Sequence, residues 1–129
     1  MQLLPQQQNV NALRDLASAG VDLLATGQFE LLVERYGYAV ACGRNPVDAV
    51  MTDLAEALSE TSGNKLLQMG PNDLSVVFCQ QSDSGLQAAI DCEVTTQAGK
   101  NIWVSFVVTG TEAGQFLILE EICAEPGSD

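Results

Sequence analysis

Two adjacent glutamates near the end of the chain are the first residues whose position could support acid–base chemistry. In a strand, Glu120 would face the same side as Ile118 and Ile122, two residues away on either side, whereas Glu121 would face the same side as Leu119. Because successive strand residues face opposite sides, one carboxylate must sit beside apolar neighbours, unless a bulge or a strand end lets both reach water. A carboxyl in an apolar pocket has a raised pKa and can act as a general acid or base. Glu120 and Glu121 are therefore the catalytic candidates, with two solvated carboxylates as the commoner alternative.

Two tyrosines flank Gly37 and could line a pocket mouth with hydroxyls in an apolar frame. Tyr36 also continues an apolar helical stripe, so a core position with its hydroxyl at the rim is the alternative. We expect any ligand to enter near Tyr36, Tyr38 and Glu120. The surrounding residues are almost all apolar, which favours a small apolar ligand and a filled or narrow interior.

The other residue types that could take part in chemistry are further carboxylates, histidine and cysteine, and their pattern mainly excludes kinds of site. Asp91 and Glu93 share one strand face, but two carboxylates alone make a poor calcium or magnesium site, so a solvated polar face is favoured. The chain contains no histidine, which removes Ser-His-Asp and Cys-His nucleophiles and His-based zinc sites. No pair among the four cysteines forms a C-x-x-C unit, and we expect reduced structural thiols at Cys42, Cys79, Cys92 and Cys123. We therefore expect no metal and no cofactor.

The charge balance limits the partners. Seventeen acidic residues against five basic ones give the 129-residue chain a net charge of −12 at pH 7, spread over both halves. Nucleic acids and anionic membranes need cationic surfaces, so neither is an expected partner. The charge either serves solubility or attracts a basic protein. Residues 1–9 lack the features of a secretory signal, and with reduced thiols they predict a cytoplasmic protein.

Three helices are predicted in the first half of the chain. Apolar residues recur with helical spacing over 9–26, 28–42 and 45–60. Gly27 separates the first two helices, and Gly37 weakens the end of the second. Asn45 and Pro46 form the clearest helix start, because asparagine caps the first turn and proline suits its first position.

Strands are predicted in the second half, where the apolar period changes to two. The alternation is clearest over 86–95 and 102–108, with further strands at 74–80 and 116–123 and a candidate short edge strand at 65–69. Short glycine-bearing connections imply antiparallel pairing. The prediction is a single α+β domain over 1–129, with three N-terminal helices packed on one face of a curved four- to five-stranded antiparallel sheet. Residues 1–9 and 124–129 are expected to be flexible ends.

The alternation also divides the sheet into two faces. The helix-facing side should hold Leu86, Ala88, Ile90, Cys92, Val94, Ile102, Val104, Phe106 and Val108, met by Phe29, Leu32, Val33, Tyr36, Val50, Met51 and Leu54 from the helices. Trp103 and Val107 fall on the opposite side. Exposed aromatic and apolar side chains there would mark an interface, with cover by the chain's own segments as the alternative.

This order of elements resembles the cystatin-like, nuclear-transport-factor-two-like group of cone-shaped α+β domains. The resemblance is carried by residues 22–32, DLLATGQFELL, which look like the helix, glycine break and Phe-Glu opening of many members, bacterial domains of unknown function among them. Ile118 to Ile122 looks like their closing strand, so the resemblance spans about residues 10 to 123. It implies the cone fold but no residue role, because members include isomerase-like and dehydratase-like enzymes as well as ligand-binding and association domains. The His-Asp dyad of the dehydratases is missing here.

These observations favour a small non-catalytic domain for binding or association, homodimeric through its sheet with Trp103 and Val107 at the interface. One alternative is an acidic immunity- or inhibitor-type protein that neutralises a basic effector, which the charge of −12 favours. Another is an isomerase- or hydratase-like enzyme that uses Glu120 or Glu121 in an apolar cone.

Overall fold

The predicted α+β architecture is confirmed by a computed structural model that describes residues 1–41, 43–60, 74–78, 86–96, 100–112 and 114–124. The helices are α1 (Val10–Ala25), α2 (Phe29–Tyr36) and α3 (Pro46–Glu60), with 3-10 turns at Pro5–Gln7 and Ala39–Ala41. The strands are β1 (Gln2–Leu3), β2 (Leu74–Phe78), β3 (Leu86–Thr95), β4 (Asn101–Thr111) and β5 (Gly114–Ala124). They form an open, curved, fully antiparallel sheet in the order β1-β5-β4-β3-β2.

Helix α1 begins and ends as its sequence predicts. The Asn9 side chain accepts a hydrogen bond from the Ala12 amide at 3.0 Å, which satisfies one of the first-turn donors. The helix stops before Gly27, whose φ of 78° is a left-handed conformation that glycine adopts at little cost. The buried stripe is formed by Leu13, Ala17, Gly20, Val21 and Leu24, together with Leu23.

Helix α2 is shorter than the predicted 28–42. It ends at Tyr36, because Gly37 adopts a φ of 73° and its amide closes the last turn on the Val33 carbonyl at 2.8 Å. The chain then makes a 3-10 turn at Ala39–Ala41. Gly37 is therefore a terminator of α2 and not an interior residue.

Helix α3 has the predicted cap, but a rotated apolar face. The Asn45 side chain accepts hydrogen bonds from the Val47 and Asp48 amides at 3.0 and 3.2 Å. Met51, expected in the interior, is 48% exposed. Its place is taken by the small residues Ala49 and Ala57, which let α3 lie close against β5.

The sheet has its fifth described strand at the N-terminus. Gln2–Leu3 pairs with β5, where the sequence analysis expects a flexible end, and Leu3 is buried. The candidate edge strand at 65–69 lies outside the described residues, and β2 ends at Phe78, with 79–80 also outside them. The N-terminal segment is thus part of the sheet.

The helices cover one side of the sheet, with α1 against β2 and β3, and α2 and α3 against β5. On that side the predicted lining of β3 and β4 is buried, from Ala88 to Val94 and from Ile102 to Val108 in alternate positions. Leu86 is the exception. A register shift between Leu86 and Ala88 places Leu86 opposite Thr109, and it is only half-buried.

Candidate functional site

The side of the sheet away from the helices, here called the outer face, carries the candidate interface residues. Register aligns its side chains in three rows across the strands: Val77, Ala89, Val107 and Ile118; then Asp91, Ser105 and Glu121; then Glu93, Trp103 and Cys123. The first row is apolar, the second is polar and acidic, and the third joins an indole to a carboxylate. The structure thus brings Trp103 and Val107 onto one surface.

Trp103 is half-buried on the outer face, beside Glu93 as its β3 partner and Cys123 as its β5 partner. Its indole Nε1–H is buried and has no acceptor among the described residues. A buried donor without an acceptor is uncommon in a folded protein, because it loses its hydrogen bond to water without replacement. Val107, four residues along the strand, is only 7% exposed although it lies outside the helix-packed core.

Glu120 occupies a β-bulge, one of the alternatives that its sequence context leaves open. Ser105 pairs with Glu121 and Phe106 with Leu119, so Glu120 is the extra residue of β5. The bulge reverses the parity of β5, which is why Leu119 and Ile122 are both buried on the helix side. Glu121 is exposed and Glu120 is half-buried.

The pKa of Glu120 is raised, first by burial and then by the negative charges of Glu121 and Asp91. Asp91 belongs to the outer face, where the Ser105 hydroxyl donates to it at 3.1 Å. Glu120 therefore shares its electrostatic surroundings with the outer face.

Tyr36 lies in the core, as its place in the helical stripe predicts. It is 2% exposed, and its ring meets Phe106 edge-on with centroids 5.5 Å apart. The hydroxyl donates to the Leu16 carbonyl of α1 at 2.6 Å, and burial raises the pKa of Tyr36. The tyrosine therefore joins α1, α2 and β4 and keeps its proton at neutral pH.

Tyr38 belongs to a polar cluster that sequence reasoning missed. Its hydroxyl donates to Asp53 Oδ2 at 2.5 Å, and Arg44 donates to both oxygens of the same carboxylate at 3.1 and 3.2 Å. Arg44 also donates to the carbonyls of Val40 and Ala41, which ties the turn after α2 to α3. Burial and the Asp53 bond raise the pKa of Tyr38, and the Arg44 bond lowers that of Asp53. No periodic signal marks this cluster, whose members are 6 to 15 residues apart in sequence.

The described residues therefore place the three predicted ligand residues in different surroundings. The hydroxyls of Tyr36 and Tyr38 are held by Leu16 and Asp53 on the helix side, whereas Glu120 shares the surroundings of the outer face. Tyr38 reaches β5 in two ways: its backbone bridges to Leu119, and its hydroxyl forms a hydrogen bond with the Ile122 backbone. This arrangement offers no acid–base pair between Glu120 and a tyrosine.

Described residues elsewhere on the molecule line two cavities. An open groove of about 480 Å³ between α2 and α3 is lined by Phe29, Leu31, Val47, Met51, Glu30 and Glu34 among others. A smaller cavity of about 200 Å³ opens beside Phe78, Leu3 and Gln87 at one end of the sheet. Neither includes Tyr36, Tyr38 or Glu120.

The thiols and carboxylates of the described part of the chain show structural roles. Cys92 and Cys123 are free, and burial raises their pKa to about 12 and about 11, so both are protonated at neutral pH and poor nucleophiles. Asn101 donates to Glu93 at 3.4 Å. Within the described ranges, no group of three or more acidic or cysteine residues could hold a metal ion. Cys42 and Cys79 lie outside those ranges.

None of the helices that the structure describes is long and apolar enough to cross a membrane. The resemblance to the cystatin-like and nuclear-transport-factor-two-like group stays a prediction. No protein-family model matches this chain, and no curated protein or solved structure matches it either.

Proposed function

We propose that this chain is a non-catalytic association domain that binds another protein through the outer face of its sheet. The observation that carries the proposal is the outer face itself, where Trp103 and the apolar row through Val107 and Ile118 lie away from all three helices. Tryptophan is enriched at protein interfaces, where its large ring excludes water and its N–H finds an acceptor. Among the described residues, the buried indole N–H of Trp103 has no such acceptor.

Binding is supported over catalysis by the state of the polar groups. The tyrosine hydroxyls and the Asp53 carboxylate are bonded to each other or to backbone, in contacts that join elements of the fold. An isomerase- or hydratase-like reaction through Glu120 or Glu121 would need a pocket around them, whereas Glu121 is exposed.

The sequence analysis leaves two kinds of partner open, and we assign both to the outer face. A second copy of the chain would make a homodimer through the sheets, and a basic effector would make this an immunity- or inhibitor-type protein. Both use the same surface, so the proposal for the face does not depend on the choice. A reducing compartment such as the cytoplasm suits either, because free thiols such as those of Cys92 and Cys123 persist there.

The proposal is tested by selecting random peptides on the immobilised chain and measuring their affinities for variants. Peptides selected on the wild type should lose about tenfold or more affinity for Trp103→Thr, because truncating a central aromatic anchor commonly costs that much. The matched control is Met51→Thr, which alters an exposed apolar residue on α3 instead. Failure to enrich any peptide, or equal affinity for both variants and the wild type, contradicts the proposal.

A further inference from the structure

The outer face combines apolar side chains with an unbalanced set of carboxylates. Four of them form what we call the acidic cluster: Asp91, Glu93, Glu120 and Glu121 on β3 and β5. None of the five described strands contains a lysine or an arginine. Two of the described arginines are engaged elsewhere, Arg14 with the Leu74 carbonyl and Arg44 with Asp53. The negative charge of this face is therefore not balanced by its own strands.

One member of the acidic cluster, Glu120, is held where its ionised form is disfavoured. Burial and the charges of Glu121 and Asp91 raise the pKa of Glu120, so the ionised form is disfavoured where it stands. A cationic partner would relieve this repulsion, since opposite charges at short range favour the ionised form. The cluster therefore complements positive charge.

A second copy fits the acidic cluster poorly. A symmetric face-to-face dimer with its twofold axis near these acids would bring two clusters of four carboxylates together, and juxtaposed like charges oppose association. The apolar row and Trp103 favour association, but Trp103 shares its register row with Glu93, and the apolar row lies next to the row of Asp91 and Glu121. The homodimer expected from the sequence is thus opposed by the charges on its own interface.

Arginine is the cation that this surface suits best. A guanidinium group stacks on an indole ring and also binds carboxylates through paired hydrogen bonds. Trp103 stands directly beside Glu93 across the β3–β4 ladder, so both kinds of contact are available side by side. In the neighbouring row, Val77, Ala89 and Ile118 would contact an apolar side chain of the same partner, above the buried Val107.

We propose that the partner bound by the outer face is an arginine-bearing protein segment with interspersed apolar residues, rather than a second copy of this chain. The inference rests on the proposed binding role of that face. The observation that supports it is the position of the acidic cluster between Trp103 and the apolar row.

The probe is a short peptide of alternating arginine and valine, with a matched peptide in which glutamine replaces arginine. Binding of the arginine peptide should be weakened about tenfold or more by the double variant Glu120→Gln/Glu121→Gln, and also by raised salt. The control Glu30→Gln/Glu34→Gln removes the same charge from exposed positions on α2 and should bind like the wild type. The glutamine peptide should bind at least about tenfold more weakly than the arginine peptide.

Equal weakening by both double variants would mean unspecific charge attraction and overturn the inference, as would equal binding of the two peptides. Sedimentation of the wild type and Trp103→Thr distinguishes a failure of this inference from a failure of the proposed function. A wild-type dimer that Trp103→Thr dissociates would keep the outer face as the binding surface but overturn the cationic partner. Affinities of library-selected peptides unchanged by Trp103→Thr would overturn the binding role of the face itself.

Discussion

Replacing Gly20 with alanine tests how closely α1 lies against the sheet. A Cβ atom at this position would stand 2.8 Å from Phe106 Cζ, 3.0 Å from Phe106 Cε2 and 3.3 Å from Tyr36 Cε2. Phe106 is 1% exposed and Tyr36 is 2% exposed, so neither ring can swing into solvent to make room. The glycine therefore permits the edge-on contact of the two rings.

Two opposing effects set the change in the free energy of unfolding that Gly20→Ala causes. Alanine in place of an interior helical glycine stabilises a helix by about 1 kcal/mol. Overpacking a filled core costs about 1 to 3 kcal/mol. We therefore expect Gly20→Ala to lower the free energy of unfolding by up to about 2 kcal/mol, although the helix alone would gain. In a Phe106→Leu background the two closest ring atoms are gone, and Gly20→Ala should become stabilising by up to about 1 kcal/mol.

The assay is urea unfolding of the four proteins of this double-mutant cycle, followed by circular dichroism. The control is Ala19→Gly, an exposed neighbour on α1, which measures the helix propensity of this segment without the rings. Gly20→Ala could instead stabilise both backgrounds equally, by about as much as Ala19→Gly lowers the free energy of unfolding. In that case α1 does not approach Phe106, and the packing described above is wrong.

Three further predictions concern single side chains. Phe106→Ala should lower the free energy of unfolding by about 3 to 5 kcal/mol, because it empties a buried site, and a loss below about 1 kcal/mol would contradict the described core. Asp53→Asn should cost about 1 to 3 kcal/mol at pH 7, since Tyr38 and Arg44 lose a charged acceptor. The bond from Arg44 lowers the pKa of Asp53 in the folded state. This stabilisation is therefore complete above about pH 4 and disappears as the pH falls through the folded-state pKa. A loss of stability in Asp53→Asn that is independent of pH in urea titrations would refute this. Glu120→Gln should raise the unfolding midpoint at pH 7, because a raised folded pKa means stability lost as the carboxyl ionises, and the gain should vanish below about pH 4. Its charge-matched control is Glu56→Gln, on the exposed side of α3.

Local signals in the sequence account for much of the fold. Asn9 and Asn45 begin α1 and α3 because their side chains satisfy first-turn amides, and that chemistry is readable from residue type and position. The strict alternation of β3 predicts its buried and wet faces, since each strand residue faces opposite to the next. The same alternation in β4 places Trp103 on the outer face.

Features that depend on neighbouring elements were not predictable in the same way. The sequence predicts a bulge near Glu120 only as one of several alternatives, because a bulge depends on the register of β4 against β5. Met51 is exposed because α3 approaches β5 through Ala49 and Ala57, and a stripe of large apolar residues gives no indication of that rotation. Strand β1 has only two residues, too few for a period of two to be visible.

The contact of Tyr38 with Asp53 and Arg44 shows the same limit for polar residues. Asp53 directly precedes the buried Leu54 on α3, so its sequence position does not distinguish a solvated carboxylate from a bonded one. Its partners arrive through the turn after Gly37, whose direction is set by tertiary packing. Sequence alone therefore suggested Tyr38 as a ligand residue, whereas the structure shows its hydroxyl bonded within the fold.

The binding role of the outer face is tested most directly by the fluorescence of Trp103, the single tryptophan of the chain. The measurement is acrylamide quenching of its emission with and without a saturating, tryptophan-free peptide selected on the wild type. We expect the emission to shift to shorter wavelength and its quenching to fall on binding, because the partner covers the indole. Emission and quenching that stay unchanged while calorimetry records binding would place the partner elsewhere and contradict the account.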